Sequence, residues 1–173
     1  MPTDSRGPQP NTSILMKYWS PSELIWIKVN TDGTMPFNDD NASIGGVFRD
    51  TDGKWLCGYS MRMGKETVFH IEVRATLEGL RIAWEKGYRQ LKVEYDNAFL
   101  VETFVAGSAN SNNLVELRLI NGFLKQDWKI RIRHISRSQN MVVDRMAKCV
   151  YYNPLGLILF EDPSISIQDI LES

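Results

Sequence analysis

The 173-residue sequence lacks several features that would indicate a particular class of protein. It has only two cysteines, Cys57 and Cys149, which are too few for a disulfide framework or for a zinc site built from cysteines alone. No apolar stretch approaches the roughly 18 residues that a transmembrane helix needs. The formal net charge of −1 at pH 7 also excludes the strongly basic composition that is typical of many nucleic-acid-binding proteins.

The remaining composition is that of an ordinary globular domain. Hydrophobic residues make up 43% and charged residues 24%, which excludes extensive disorder. A chain of this length corresponds to about one domain and can bury enough surface for a core. No targeting segment is evident, so the cytoplasm or the nucleus is the default compartment, and we expect a monomer that is not associated with a membrane.

The distribution of proline and charge divides the chain into three segments. Residues 1–22 contain four prolines and little periodicity, which predicts a flexible leader. Residues 23–152 are predicted to form the folded domain. Residues 153–173 contain four acidic residues and no Lys or Arg, which predicts an acidic C-terminal tail. The apolar run 155–160 within this tail either docks on the domain or forms a short helix.

Hydrophobic periodicity predicts nine elements in the order βββαβααβα. Alternation predicts five strands, and helical spacing predicts four helices. The strands are expected near 25–31, 42–49, 55–63, 91–95 and 128–132, and the helices near 68–86, 97–106, 113–126 and 140–152. Asn113 followed by Glu116 resembles a capping box. Three strands with short links followed by crossover units favour an α/β fold with a mixed sheet and helices packed on it.

Three aspartates lie at the ends of predicted elements, and each has an ordinary structural interpretation. Asp32 precedes Gly33 and fits an Asp-Gly turn. Asp96 ends the fourth strand and could be the N-cap of the next helix. Asp144 lies near the start of the last helix, where its charge suits the helix dipole.

Glu72 has no such ordinary interpretation. At helical spacing it shares one face with small side chains, namely Ala75, Thr76, Gly79 and Ala83. That face is expected to pack closely on the sheet, where an unpaired charge is costly. The carboxylate therefore needs a partner, which is either a buried arginine or a metal ion.

Several ordered segments together resemble the ribonuclease H family. The resemblance is strongest to the plant-type group related to the ribonuclease H portion of non-LTR reverse transcriptases. It covers about residues 24–152 and includes all four acidic positions in order. The segments that carry it are Lys28–Gly33, Gly45–Asp50, Ile71–Ala75 with Gly79-Leu80, Glu94–Asn97 and His134–Ala147.

The resemblance implies a five-stranded mixed sheet, with three antiparallel strands followed by βα units, and gathered carboxylates. It implies hydrolysis of the RNA strand of RNA–DNA hybrids by an endonuclease that uses two Mg²⁺ ions, or Mn²⁺ as a substitute. All-oxygen ligands suit these ions better than zinc. In this family, Asp32 would bridge both metals, and Asp96 and Asp144 would bind the metal that carries the attacking water. Glu72 would bind the metal at the leaving group.

The resemblance also assigns roles to five other residues. His134, ten residues before Asp144, corresponds to a loop histidine that assists proton transfer or product release, although a packed histidine is an alternative. Gly33, Asn97 and Asn140 match substrate contacts, and Asn97 replaces the family's usual serine. Thr67 matches a threonine that binds a DNA phosphate, and it is also a candidate helix N-cap. The extra basic helix of some bacterial members is absent, so we expect weaker hybrid binding.

A basic run near the C-terminal end of the domain leaves two interpretations. Between Arg118 and Lys148 there are eight Lys or Arg residues and two acidic ones. Lys129, Arg131 and Arg133 share one face of the fifth strand, where they could track phosphates or simply form a solvated surface.

Two functions compete with hybrid cleavage. One is a noncatalytic ribonuclease H-like module derived from a retroelement, which binds nucleic acid or a protein partner. The other is an exonuclease or a recombinase of the same fold.

Overall fold

A computed structural model describes residues 25–35, 41–105, 114–148, 156–163 and 168. Within these residues the chain forms six strands, four α-helices and one 3₁₀ turn. The strands are β1 (Ile27–Thr34), β2 (Ser43–Arg49), β3 (Trp55–Arg62), β4 (Gln90–Tyr95), β5 (Lys129–His134) and β6 (Leu157–Phe160). The helices are α1 (Val68–Glu85), α2 (Ala98–Val105), α3 (Val115–Leu124) and α4 (Met141–Lys148), and the 3₁₀ turn Arg137–Asn140 precedes α4. Among them, no helix has the length and hydropathy needed to cross a membrane.

The strands form a single mixed sheet in the order β5-β4-β1-β2-β3-β6. Strands β1, β2 and β3 are antiparallel neighbours, as predicted from their short connections. Strand β4 is parallel to both β1 and β5. Helix α1 connects β3 to β4, and helices α2 and α3 connect β4 to β5, which are the crossovers that parallel strands need. The predicted mixed α/β architecture is therefore confirmed, and the carboxyl ends of β1, β4 and β5 meet at one edge of the sheet.

The prediction of five strands is wrong by one, because β6 extends the sheet. Residues 157–160 pair antiparallel with β3 and so cover an edge that would otherwise expose unpaired backbone groups. Glu161 anchors the end of this strand. Its carbonyl accepts a hydrogen bond from Trp55 Nε1 at 2.9 Å, and its carboxylate lies 3.2 Å from Lys86 Nζ. Part of the segment predicted as an acidic tail thus belongs to the sheet.

The predicted capping box before α3 is not the arrangement found. Helix α3 begins after Leu114, which makes no side-chain cap, and Glu116 instead contacts His70 of α1. Asn113 lies outside the described residues, as do the predicted leader 1–22 and the predicted helix ends at Ala106 and Tyr152.

Helix α1 and helix α4 pack on opposite faces of the sheet. On the α1 face, Tyr59 is fully buried, and its hydroxyl donates a hydrogen bond to the Ala75 carbonyl at 2.6 Å. On the other face, Ser43 Oγ donates to the Ala147 carbonyl at 2.6 Å. A smaller apolar cluster forms there, made of Val47, Val142, Val143 and Met146.

The close approach of α4 to the sheet depends on Gly45. A Cβ atom at this position would lie 2.6 Å from the backbone nitrogen of Ala147. We expect Gly45→Ala to lower the free energy of unfolding by about 1–3 kcal/mol, because helix backbone cannot move away as easily as a side-chain tip. Urea unfolding measures this effect.

Gly122 provides the matched control. It lies within α3, and a Cβ there would meet nothing within 4 Å. Gly122→Ala is expected to stabilise the protein by up to about 1 kcal/mol, because alanine has the higher helix propensity. Equal effects of the two substitutions would contradict this account of the α4 contact.

Candidate active site

Three of the four predicted carboxylates lie together at one edge of the sheet. Asp32 lies in β1 and Asp96 directly follows β4, so the parallel pairing of these strands brings both to the same edge. Glu72 reaches this edge from α1. One carboxylate oxygen from each of the three residues lies within 4.8 Å of those of the other two. We call this set the carboxylate cluster.

Gly33 allows α1 to bring Glu72 to the cluster. A Cβ atom at position 33 would overlap Ile71 Cγ2, the side chain next to Glu72. Ile71 is itself almost fully buried, so it could not move without repacking the core. The glycine after Asp32 therefore has a packing role, and its contact with substrate stays a prediction.

The cluster is electrostatically unfavourable when all of its members are ionised. Asp32 is only 7% exposed, and this burial raises the pKa of its carboxyl from 3.8 to about 7. The negative charges of Asp96, Asp144 and Glu72 act in the same direction. Burial likewise raises the pKa of Glu72. A bound cation would relieve this repulsion.

Asp96 presents a buried oxygen that accepts no hydrogen bond among the described residues. Its Oδ2 atom makes no hydrogen bond within the described residues, and the guanidinium of Arg137 lies 3.8 Å away on a side chain that is 93% exposed. The interpretation of Asp96 as a helix cap is wrong, since Asn97 occupies that position. Asn97 Oδ1 accepts hydrogen bonds from the backbone nitrogens of Phe99 and Leu100 at 3.0 and 3.3 Å.

Asn97 also orients Glu72, which sequence reasoning missed. Its Nδ2 atom donates a hydrogen bond to Glu72 Oε2 at 2.7 Å. This bond partly offsets the effect of burial on the pKa of Glu72. The described partner of Glu72 is thus an amide rather than the buried arginine considered from the sequence. Asparagine can make both bonds because its side chain has a donor and an acceptor.

Asp144 lies beside the carboxylate cluster rather than in it. Its Oδ2 atom accepts a hydrogen bond from Lys148 Nζ at 2.8 Å, one helical turn along α4. Its side chain is 45% exposed, yet its charge still raises the pKa of Asp32. Because an exposed ion pair of this kind contributes little free energy, Lys148 can be displaced at low cost. The assignment of Asp144 as a fourth ligand stays a prediction.

His134 and Thr67 both occupy exposed positions. His134 Nε2 lies 3.2 Å from the Asp96 carbonyl oxygen, and the side chain is exposed, so the packed-histidine alternative is wrong. Thr67 is the N-cap of α1, as one interpretation predicted, and its Oγ1 atom accepts from the backbone nitrogen of His70 at 3.2 Å. Its contact with a DNA phosphate stays a prediction.

Asn140 is buried and ties the start of α4 to β1. Its Nδ2 atom donates to the Thr31 carbonyl at 3.3 Å, next to Asp32. Its Oδ1 atom is buried and has no partner in the part of the chain that the structure describes. The side chain therefore helps to fix the position of β1 relative to α4, and its predicted substrate contact is untested.

A second contact that the sequence did not reveal holds α1 against α3. The ring of His70 lies between Glu66 and Glu116, with 2.9 Å between Nε2 and Glu116 Oε1. Burial alone would lower the pKa of His70, but the two carboxylates raise it overall, and the same contact lowers the pKa of Glu116. This bridge stabilises the end of α1 that carries Glu72.

The donor set of the cluster fits a hard divalent cation. It consists of three carboxylates without histidine or cysteine, and Mg²⁺ and Mn²⁺ prefer such oxygen ligands. Asp96 Oδ2 accepts no hydrogen bond among the described residues, and the pKa of Asp32 is raised; each observation indicates a site that a cation would complete. These residues could therefore hold a metal ion.

Comparison with known proteins gives a consistent result. Residues 30–150 match the protein family described as reverse transcriptase-like. A protein of Arabidopsis thaliana that is provisionally named a ribonuclease H protein is 36% identical over 154 residues. The match covers 88% of this chain but 25% of that protein, so the chain spans about a quarter of the relative's length.

Solved structures of ribonucleases H share the fold. Ribonuclease H1 from the halophilic archaeon Halobacterium salinarum superposes with a TM-score of 0.61 at 24% identity, over 71% of this chain and 95% of that one. LC11-RNase H1, solved in complex with an RNA/DNA hybrid, gives a TM-score of 0.61 at 22% identity, over 70% and 94% of the two chains.

Proposed function

Because this chain belongs to the reverse transcriptase-like family and has the ribonuclease H fold, we propose that it is a metal-dependent endonuclease that hydrolyses the RNA strand of RNA–DNA hybrids. The observation that carries this proposal is the carboxylate cluster of Asp32, Glu72 and Asp96 at the edge where β1 and β4 end. We propose that the residues around it hold cations and position a phosphodiester.

The proposed ligands differ in how they are held. Asp32 is the buried member of the cluster, which suits a ligand shared by two ions, and Asp96 has an oxygen that accepts no hydrogen bond among the described residues. Asn97 fixes Glu72, and Asp144 would complete the set after leaving Lys148. When bound, two Mg²⁺ ions would activate a water and stabilise the leaving oxygen.

The rim of the site offers groups for substrate and protons. Thr67 presents a hydroxyl at the N-terminus of α1, where the helix dipole favours a phosphate. His134 is exposed next to Asp96 and could accept a proton during product release. We further propose that Gly33, Asn97 and Asn140 contact the substrate strand, and that the protein acts as a monomer.

A second candidate function is a noncatalytic module that binds nucleic acid. The ion pair between Asp144 and Lys148 favours it, because this pair leaves three carboxylates in the cluster where the proposed chemistry uses four. Binding of a hybrid without turnover would then be the expected behaviour.

A cleavage assay separates these functions. A hybrid labelled on its RNA strand is incubated with the protein and Mg²⁺, with single-stranded RNA, double-stranded RNA and double-stranded DNA as parallel substrates. We expect cleavage of the hybrid alone, products with 5′-phosphate and 3′-hydroxyl ends, and complete inhibition by EDTA. Hybrid binding without cleavage in either Mg²⁺ or Mn²⁺ would support the noncatalytic module instead.

A further inference from the structure

The side of the sheet opposite α1 carries a group of cations next to the carboxylate cluster. The register aligns Lys28 of β1 with Lys92 of β4 and Arg131 of β5, so these three side chains form a row across the sheet. Lys129 and Arg133 flank this row on β5. Arg49 lies opposite Lys28 on β2. We call these six residues the basic face.

The ring of Trp26 contacts two of the three cations in this row, and no carboxylate among the described residues neutralises the row. The Arg131 guanidinium stacks on the ring of Trp26, 4.2 Å from its centroid, and Lys92 Nζ lies 5.8 Å from the same centroid. Lys28, Lys92 and Arg131 form no ion pair with any acidic residue in ranges 25–35, 41–105, 114–148 and 156–163. A merely solvated surface usually mixes both signs of charge, and this row does not.

A cavity of about 170 Å³ opens between this row and the carboxylate cluster. It is lined by Lys28, Arg49 and Arg133, and Glu94 is the acidic residue among its lining residues. Arg133 uses one nitrogen to bind Glu94 at 2.8 Å. The lining therefore retains an excess of positive charge, and its volume is several times that of a water molecule.

Arg49 supplies a donor that no described acceptor uses. One of its terminal nitrogens donates to Asn30 Oδ1 at 3.3 Å, whereas its Nε atom is buried and has no partner within the described residues. Burial also lowers the pKa of this guanidinium, despite the nearby charge of Glu94. Arg49 lines the cavity and keeps this donor unused, and guanidinium groups bind phosphate through paired hydrogen bonds, so the cavity fits an oxyanion.

From this arrangement we propose that the basic face binds the phosphate backbone of a nucleic acid, with one phosphate in the cavity beside Arg49, as a contact surface separate from the carboxylate cluster. Asn30 and Glu94 precede Asp32 and Asp96 by two residues along extended backbone, a distance of about 7 Å. A nucleic-acid strand that reaches the cluster can therefore continue over the basic face.

The proposal takes its ligand class from the proposed function, but it concerns binding and not cleavage. The test measures the anisotropy of a fluorescein-labelled RNA–DNA hybrid at several salt concentrations, with every protein carrying Asp32→Asn so that the hybrid stays intact. The variant Lys28→Gln/Arg131→Gln is compared with Arg118→Gln/Lys125→Gln, which removes the same two charge types from exposed positions on or directly after α3.

We expect the basic-face variant to bind about tenfold more weakly and the control to bind unchanged. The slope of log K against log salt should become shallower by about 0.9 for each phosphate contact that is lost. Thermal melting of both variants establishes that they are folded. An affinity and a salt slope equal to those of the control would overturn the proposal.

Two further measurements separate the possible outcomes. If the basic-face variant loses binding to polyglutamate but keeps its affinity for the hybrid, the surface serves an acidic protein and the proposal is wrong. Cleavage by the protein with Asp32 intact is measured in parallel. Absence of cleavage together with binding that depends on the basic face would remove the proposed function and support this inference. Normal cleavage, together with equal hybrid affinity of the basic-face variant and the control, would support the proposed function and overturn this inference.

Discussion

Asp32→Asn is expected to reduce metal-dependent hybrid cleavage by at least about 10³-fold, which corresponds to about 4 kcal/mol of transition-state stabilisation. The asparagine has nearly the same shape, and its oxygen can still accept the 2.9 Å hydrogen bond that the Gly33 nitrogen donates to Asp32 Oδ1. It lacks the negative charge that a shared metal ligand needs. The loss should therefore appear in the rate and not in the fold.

Two other aspartates serve for comparison, Asp127 as the control and Asp144 as the proposed fourth ligand. Asp127 is exposed in the connection before β5, so Asp127→Asn should leave cleavage unchanged. Asp144→Asn should cause a smaller loss than Asp32→Asn, because Asp144 lies outside the carboxylate cluster. Rates are measured under single-turnover conditions with saturating Mg²⁺, and circular dichroism checks the fold. Cleavage by Asp32→Asn at the rate of the unmodified protein would exclude the proposed chemistry.

The predictable parts of this structure are those that local patterns determine. The period of the apolar residues changes from two to 3.6 between β3 and α1, and this change sufficed to predict the order of the elements up to α4. The small side chains beside Glu72 correctly predicted that its helix packs closely on the sheet. Two parallel strands that carry an aspartate in or directly after their last residues then bring Asp32 and Asp96 together.

The features that were missed depend on which distant residues are available as partners. Strand β6 has four residues, and it exists because the edge of β3 offers unpaired backbone groups. The spacing of Glu116 resembles part of a capping box, but its carboxylate contacts the ring of His70, 46 residues away in sequence. Likewise, the two bonds of Asn97 depend on the position of Glu72. No local pattern contains this information.

The same limit applies to the basic face. The alternation in β5 predicted that Lys129, Arg131 and Arg133 share one side of a strand. Only the register with β4 and β1 shows that Lys92 and Lys28 continue the row. The cavity beside Arg49 requires in addition that β2 lies next to β1. A cluster of like charges becomes visible only once strands from separate parts of the chain are paired.

In metal-free buffer, the free energy of unfolding is expected to fall as the pH rises from about 4 to about 7. The folded protein holds a proton on Asp32 up to about pH 7, whereas the unfolded chain releases it near the ordinary value of 3.8. The folded state therefore binds more protons throughout this interval, and its stability decreases with pH and levels off above it. The pKa difference sets an upper limit of about 4 kcal/mol. The raised pKa of Glu72 acts in the same direction.

Asp32→Asn isolates this effect from the other titrating groups, including His70 and Glu116. The variant should show a flatter pH dependence in urea unfolding and should be more stable than the unmodified protein at pH 8. Mg²⁺ at ten times its dissociation constant should stabilise the unmodified protein by about 1.4 kcal/mol at that pH, because the ion binds the folded state alone. This corresponds to an increase in Tm of about 3–6 °C, and the variant should lose most of it. Parallel pH curves for the two proteins would show that the charge of Asp32 is not under electrostatic stress, and the cluster would then have no need of a cation.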